Sequence, residues 1–313
     1  MSVFLATNRV DEDPSRLDPA PLLSFADAQG QPLSDQDFLA GVGQALVGDT
    51  PLLVFLGGHG VGREQVLERC AALARQQDAV VVGMSWAGGT SPTPRASILA
   101  SGHVKAQAYG FLELVALLLH GPVRASLPGR SVSLLVHGLG AKLLKTALLL
   151  RPDLVGELFT SAVLAAADLT YEMQLEWLTR FAPRQDPDAV SVLWHDGDVA
   201  LDFTMDGRLL HLANGAVVDG DLTETQIGVF GDSDEFHSVP EFEYLDVGSL
   251  VSQDMEPVLY PPESRSMDPK AIEAFEDEHS ARVQGSSTHT YLWSSPQVAE
   301  RVARLIRKGG AWA

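Results

Sequence analysis

Two ionisable side chains and one glycine carry the chemistry this sequence offers. Asp198 follows an apolar run, Val190-Ser191-Val192-Leu193-Trp194, and His289 lies far downstream in Ser286-Ser287-Thr288-His289-Thr290-Tyr291. Upstream of both, Ser131-Val132-Ser133-Leu134-Leu135-Val136-His137 runs into Gly138-Leu139-Gly140 and then Ala141-Lys142-Leu143-Leu144-Lys145. A strand turning sharply into a helix, followed in chain order by an acid and a histidine, is the layout of G-x-S-x-G acyl-transfer enzymes, whose serine rides the turn. Here the serine position holds Gly138. Glycine takes the unusual backbone angles of such a turn without steric cost, so the turn survives while the hydroxyl is gone. An Asp198–His289 pair would orient a general base with no side-chain atom at the elbow to deprotonate. Losing the nucleophile of such a triad costs about a millionfold in turnover and leaves roughly 10³–10⁴ over water.

The rest of the expected site is largely backbone. The N–H groups of His59 and Leu139 are the candidate oxyanion-hole donors. Gly58, Ser85, Trp86 and His137 are the candidate pocket residues, since open α/β sheets bind ligands at the carboxyl ends of their strands. Each polar residue has a competing role. Asp198 suits the N-cap of a helix from Val199 to Phe203. Asp196-Gly197 suits a turn, which makes Asp196 the weaker acid candidate. A histidine in the position of His289 also suits an ordinary surface loop. His59, His103 and His137 lack the H-x-x-x-H or H-E-x-x-H spacing of metal sites, and no metal is expected. Gly57-Gly58-His59-Gly60-Val61-Gly62 precedes a helix, but it has no G-K-[ST] ending and does not match G-x-G-x-x-G. Nucleotide binding is therefore not expected, and no cofactor is.

The elements that must position these residues follow from periodicity. Continuous apolar runs at 52–56, 80–84, 131–137, 162–166 and 190–194 predict buried strands, with further strands at 3–7 and 242–247. Between them, 62–76, 101–120, 139–150, 171–181, 269–283 and 296–308 carry helical patterns, the last two opened by proline in the first turn. Residues 87–97, rich in Gly, Pro, Ser and Thr, predict a loop. Strands alternating with helices imply an α/β class, with a mainly parallel sheet covered on both faces. One domain over 1–313 is expected, with 8–50 (one short helix near 35–46) and 204–240 as irregular insertions.

With these motifs in hand, the chain resembles a bacterial family of α/β-hydrolases of unknown function. The family opens on a strand ending A-T-N-R or A-T-D-R, as Ala6-Thr7-Asn8-Arg9 does. Its S-W-P turn is matched by Ser85-Trp86 with Ala87 in place of proline, and its D-x-A-L by Asp198-Val199-Ala200-Leu201. Its H-S-Y loop is matched by His289-Thr290-Tyr291. Its V-H-G-Y-N differs at Gly57, and its A-H-S-M-G-N elbow stands here as Val136-His137-Gly138-Leu139-Gly140-Ala141. The departures gather where the chemistry would be. The resemblance implies the α/β-hydrolase fold over nearly the whole chain and implies hydrolysis much less.

Composition bounds the remaining classes. The chain has 313 residues, 45% of them apolar, a formal net charge of −19 and one cysteine. Such a surface repels nucleic acid and anionic membranes, which need Lys and Arg to displace counterions. A single cysteine excludes an internal disulfide and a C-x-x-C zinc site. The longest mostly apolar stretch, 111–119, is too short to span a bilayer. The N-terminus lacks the basic and apolar regions of a signal peptide, which makes the cytoplasm the expected compartment, with secretion that needs no cleaved signal as the alternative. Two functions stand side by side. One is an inactive or very weakly active protein that binds a small acyl or ester-like ligand, or a protein partner, at a degenerate triad. The other is an esterase or lipase that uses a non-standard nucleophile or a His289-activated water.

Overall fold

The central strands are buried along almost their whole length and mostly apolar, and the pleat divides their side chains between two cores. In β4 (Leu52–Leu56), Leu52, Val54 and Leu56 enter one core while Leu53 and Phe55 enter the other. The same alternation runs through β5 (Val80–Ser85) and β6 (Val132–His137), and through β7 (Ser161–Ala165) and β8 (Val190–Trp194). Side chains that point alternately to opposite faces explain why uninterrupted apolar runs are needed in a sheet buried on both sides.

The computed structural model describes residues 2–9, 20, 22–168, 189–195, 197–204, 206, 242–252, 254–262, 264 and 267–307. With β1 (Val3–Thr7), β2 (Ser24–Ala26), β3 (Pro32–Leu33) and β9 (Glu243–Asp246), these residues form one sheet in the order β3-β2-β1-β5-β4-β6-β7-β8-β9. The β3–β2 and β2–β1 pairs are antiparallel and the rest are parallel. Helices α1 (Asp35–Ala45), α3 (Pro94–Leu118), α4 (Gly121–Ser126), α5 (Gly140–Leu150) and α6 (Pro152–Leu158) cover one face. Helix α2 (Arg63–Gln77) and the helices Tyr291–Ser294 and Pro296–Leu305 cover the other. None of the helices among the described residues is long and apolar enough to cross a membrane.

Two expectations are corrected. Part of the stretch expected to be irregular, 8–50, adds β2 and β3 to the sheet edge, where Phe25 stacks on Phe38 of α1 at 4.3 Å. Strands this short have too few residues to show periodicity, and the pairing of β2 with β1 and of β3 with β2 holds them. Helix α3 begins at Pro94, inside the expected loop, with Thr93 as N-cap accepting from the Ala96 N–H. The cap and the proline at N1 were legible, but the surrounding glycines and prolines masked them. The expected helix at 171–181 and nearly all of 204–240 lie outside the described residues.

The chain passes from β4 to β5 and then crosses back to β6 on the other side of β4. The carboxyl ends of β4 and β6 therefore flank a topological switch point, where the crevice of an open α/β sheet forms. Their connecting turns approach closely there. A Cβ built on Gly140 would lie 2.7 Å from the Gly57 carbonyl oxygen and 2.8 Å from that of Leu56. A Cβ on Gly138 would meet only the Gly58 Cα, at 3.6 Å. Gly140→Ala should therefore destabilise by about 3 kcal/mol or more, because backbone blocks relaxation. Gly138→Ala should cost about 1 kcal/mol, from backbone strain alone. Urea unfolding of the two variants measures the difference, and an equal loss would contradict the packing at Gly140.

Candidate functional site

Gly138 follows β6 at φ +56, the left-handed region that a non-glycine residue enters only under strain. Its N–H donates to the Ala165 carbonyl at 3.2 Å, and its carbonyl accepts from Asp168 N–H at 3.1 Å and Ala141 N–H at 3.0 Å. The turn is thus fixed by β7 on one side and α5 on the other. Leu139 N–H, next in the chain, donates to no other backbone group among the described residues, as an oxyanion donor requires.

Asp198 follows β8, is fully buried and combines both roles open to it. Its Oδ1 accepts from the N–H groups of Ala200 and Leu201, each at 3.1 Å, which caps the helical segment 199–204. Both carboxylate oxygens also lie 3.0 Å from His289 Nδ1. A carboxylate only accepts, so Nδ1 carries a proton, and in the neutral ring that leaves the lone pair on His289 Nε2. Asp196 lies outside the described residues.

His137 holds the histidine loop from below. Its Nε2–H donates to the His289 carbonyl at 3.0 Å, and the two rings sit edge to face at 4.7 Å. Burial, and then the neighbouring His289 and Arg69, hold the His137 pKa well below its ordinary value, so it stays neutral. Tyr291 braces the same loop: its hydroxyl donates to the Leu193 carbonyl at 3.1 Å and accepts from Ala166 N–H. Burial and the Asp198 charge push its phenol pKa up.

Gly58, His59, His137, Gly138, Leu139 and His289 share one cavity of about 20 Å³, room for a single water-sized group. Ser85 and Trp86, expected in the pocket, are not on its wall. Both are buried in the framework beneath it. Ser85 Oγ accepts from Arg9 Nε at 2.9 Å, and the Trp86 indole N–H donates to the Gly57 carbonyl at 2.7 Å. Their positions at and just after the end of β5 suggested a pocket, but bonds inward turned the side chains away from it.

Two charged lining residues escaped the sequence reading. Asp168 is buried just after β7, by the same strand-end signal that singled out Asp198. Arg69 reaches the cavity from α2, with its guanidinium 4.5 Å from the centre of the Trp293 ring. Its helical position gave no hint of this, because only the docking of α2 against the Tyr291–Ser294 helix brings it there. Burial lowers its pKa to about 10, with Cys70 and Glu68 opposing, so it remains a cation at neutral pH.

The strand order, with Gly138, Asp198 and His289 at the ends of their respective strands and loop, defines the α/β-hydrolase fold. No protein-family model matches the sequence, and no curated protein does. Among solved structures, the chain is similar to the crystal structure of DphMB1, at 16% identity over 76% of this chain and 78% of that one, with a TM-score of 0.32. It is also similar to Aspergillus fumigatus lipase B, at 10% identity over 86% of this chain and 64% of the lipase, with a TM-score of 0.37. The chain thus spans less than two thirds of the lipase's length.

A histidine held neutral by burial gives a stability signature. The folded pKa of His137 lies below its ordinary 6.5, so the unfolded chain binds the extra proton. The stabilisation is full above about pH 6.5 and is lost as pH falls from there through the folded value. Urea unfolding should weaken between about pH 7 and about pH 5, and His137→Gln should flatten that decline. Parallel pH profiles for the two proteins would rule out this role.

Proposed function

We propose that this chain is a binding protein on an α/β-hydrolase fold whose triad has lost its nucleophile, with hydrolysis close to background. One observation carries the reading. Gly138 occupies the elbow at φ +56, while His289 Nε2 makes no hydrogen bond to a protein hydroxyl or thiol among the described residues. The other candidates support it by their engagement elsewhere. The Ser85 hydroxyl is bound to Arg9. Cys70 is buried in the core between α2 and β5, with its thiol pKa pushed up by desolvation. Thr204 lines the cavity without bonding to His289.

A second reading draws on the intact dyad. Asp198 still fixes the His289 tautomer, and the cavity beside Gly138 has the volume of one water. A water there, deprotonated by Nε2, would be a weak substitute for the hydroxyl in ester hydrolysis.

We further propose that the chain is a diverged member of the bacterial α/β-hydrolase family that its motifs resemble. Supporting this, the motif residues interlock. The Thr7 hydroxyl donates to the Ser85 carbonyl at 2.7 Å, and Arg9 joins Ser85 to the Val61 and Gly89 carbonyls.

Gly138→Ser tests the main reading, because the site has space for the new side chain. Turnover of p-nitrophenyl butyrate should rise at least about a hundredfold over the parent, and adding His289→Ala should remove the gain. The parent should stay unlabelled by a fluorophosphonate probe. Labelling of the parent, or esterase rates in the parent abolished by His289→Ala alone, would overturn the proposal.

A further inference from the structure

Helix α3 has an outer face unlike that of an ordinary surface helix. Its inner side packs into the core through Val104, Ala108, Phe111 and Val115. The opposite side of such a helix is normally charged or polar. Here Leu99, Gly102, Ala106 and Tyr109 follow one another three and four residues apart, which places them in one outward stripe. Leu99 is 52% exposed and Tyr109 57%. A Cβ added at Gly102 would meet nothing within 4 Å, so the stripe opens outward rather than onto a neighbouring element.

The charges beside the stripe select its occupant. Lys105 and Glu113 are both exposed, four residues before Tyr109 and four after it. Each stands about 6 Å from Tyr109 along the helix axis, in opposite directions. Neither makes an ion pair among the described residues. Partial burial, and then the like charge of Asp35, raise the Glu113 carboxyl pKa, so this carboxylate gains from any cation brought to it. A two-fold axis at Tyr109 sets two copies of α3 antiparallel, with residues equally far before and after Tyr109 level with one another. Lys105 of each copy then stands level with Glu113 of the other, and Tyr109 meets its counterpart. Gly102 and Ala106 leave room for the helix axes to approach. A parallel pair in register would set lysine against lysine and acid against acid.

We propose that this face of α3 docks on the same face of a second copy of the chain, as an antiparallel helix pair centred on Tyr109. The contact uses one patch on both copies, so it closes as a dimer. One helix pair buries less than the roughly 1,200 Å² of a standard complex, so the dimer is reversible, with a Kd on the order of 1–100 µM. The net charge of −19 on each copy opposes approach from a distance. At about 0.15 M salt that repulsion is screened beyond about 8 Å, while pairs in contact keep much of their attraction. The proposal goes beyond the binding reading above and stands whether or not the elbow is active.

Sedimentation equilibrium of the full chain at that salt, up to about 300 µM, tests this. The parent should follow a monomer–dimer equilibrium. Tyr109→Ser should weaken association at least about tenfold. Lys105→Glu and Glu113→Lys should each weaken it about tenfold, because attractive pairs become repulsive on both sides of the axis. Mixed in equal amounts, these two charge variants should associate with each other about as tightly as the parent does with itself. One copy then carries negative charge at both positions and the other positive charge at both. Damage to the fold would not be repaired by mixing, so the rescue reports the register itself. A parent that stays monomeric throughout, association unchanged by Tyr109→Ser or by either charge variant, or charge variants that stay apart when mixed, would each overturn the proposal.

Discussion

The close approach of two turns at the topological switch point governs this structure. The segment after β4 and the segment after β6 meet at backbone contact, and Gly140 has no room for a side chain between them. That contact sets where α5 begins, where Leu139 N–H points and how far Gly138 stands from Gly58. A hydroxyl at position 138 would emerge into the cavity from a backbone already shaped for it. The turn therefore keeps its shape in the backbone, with no side chain at position 138.

A second layer holds the histidine loop against that turn. Asp198 caps the segment 199–204 and fixes the His289 tautomer with the same carboxylate. Tyr291 ties the loop to β8 and to the strained Ala166, at φ +46, beside Asp168. His137 reaches across to the His289 carbonyl. These are buried polar groups satisfied by one another, and such networks hold a single arrangement because leaving one member unpaired is costly. The histidine loop is therefore held without any contribution from a side chain at position 138. Its remaining groups hold each other, and the acid also serves a helix.

Much of this was legible in the residues. The buried strands were plain from their apolar runs, since a sheet covered on both faces needs apolar side chains on both sides of the pleat. The elbow, Asp198 and His289 were legible from chain order, because the fold brings strand ends to one edge of the sheet in a fixed sequence. Other features were not legible. The edge strands β2 and β3 are held by pairing rather than pattern. Ser85 and Trp86 stand at or beside a strand end, as pocket residues do, yet Arg9 and the Gly57 carbonyl draw their side chains into the framework.

The sequence by itself determined the order of strands and helices, the glycine at the elbow and the acid and histidine that follow it. Local spacing and burial pattern carry that information. Only the tertiary structure decided the character of the cavity. Arg69 and Asp168 are separated by about a third of the chain, and their charges share one cavity because the packing of α2 and the turn after β7 brings them to it. No periodicity encodes such a meeting, since it depends on how separate elements dock rather than on which elements form.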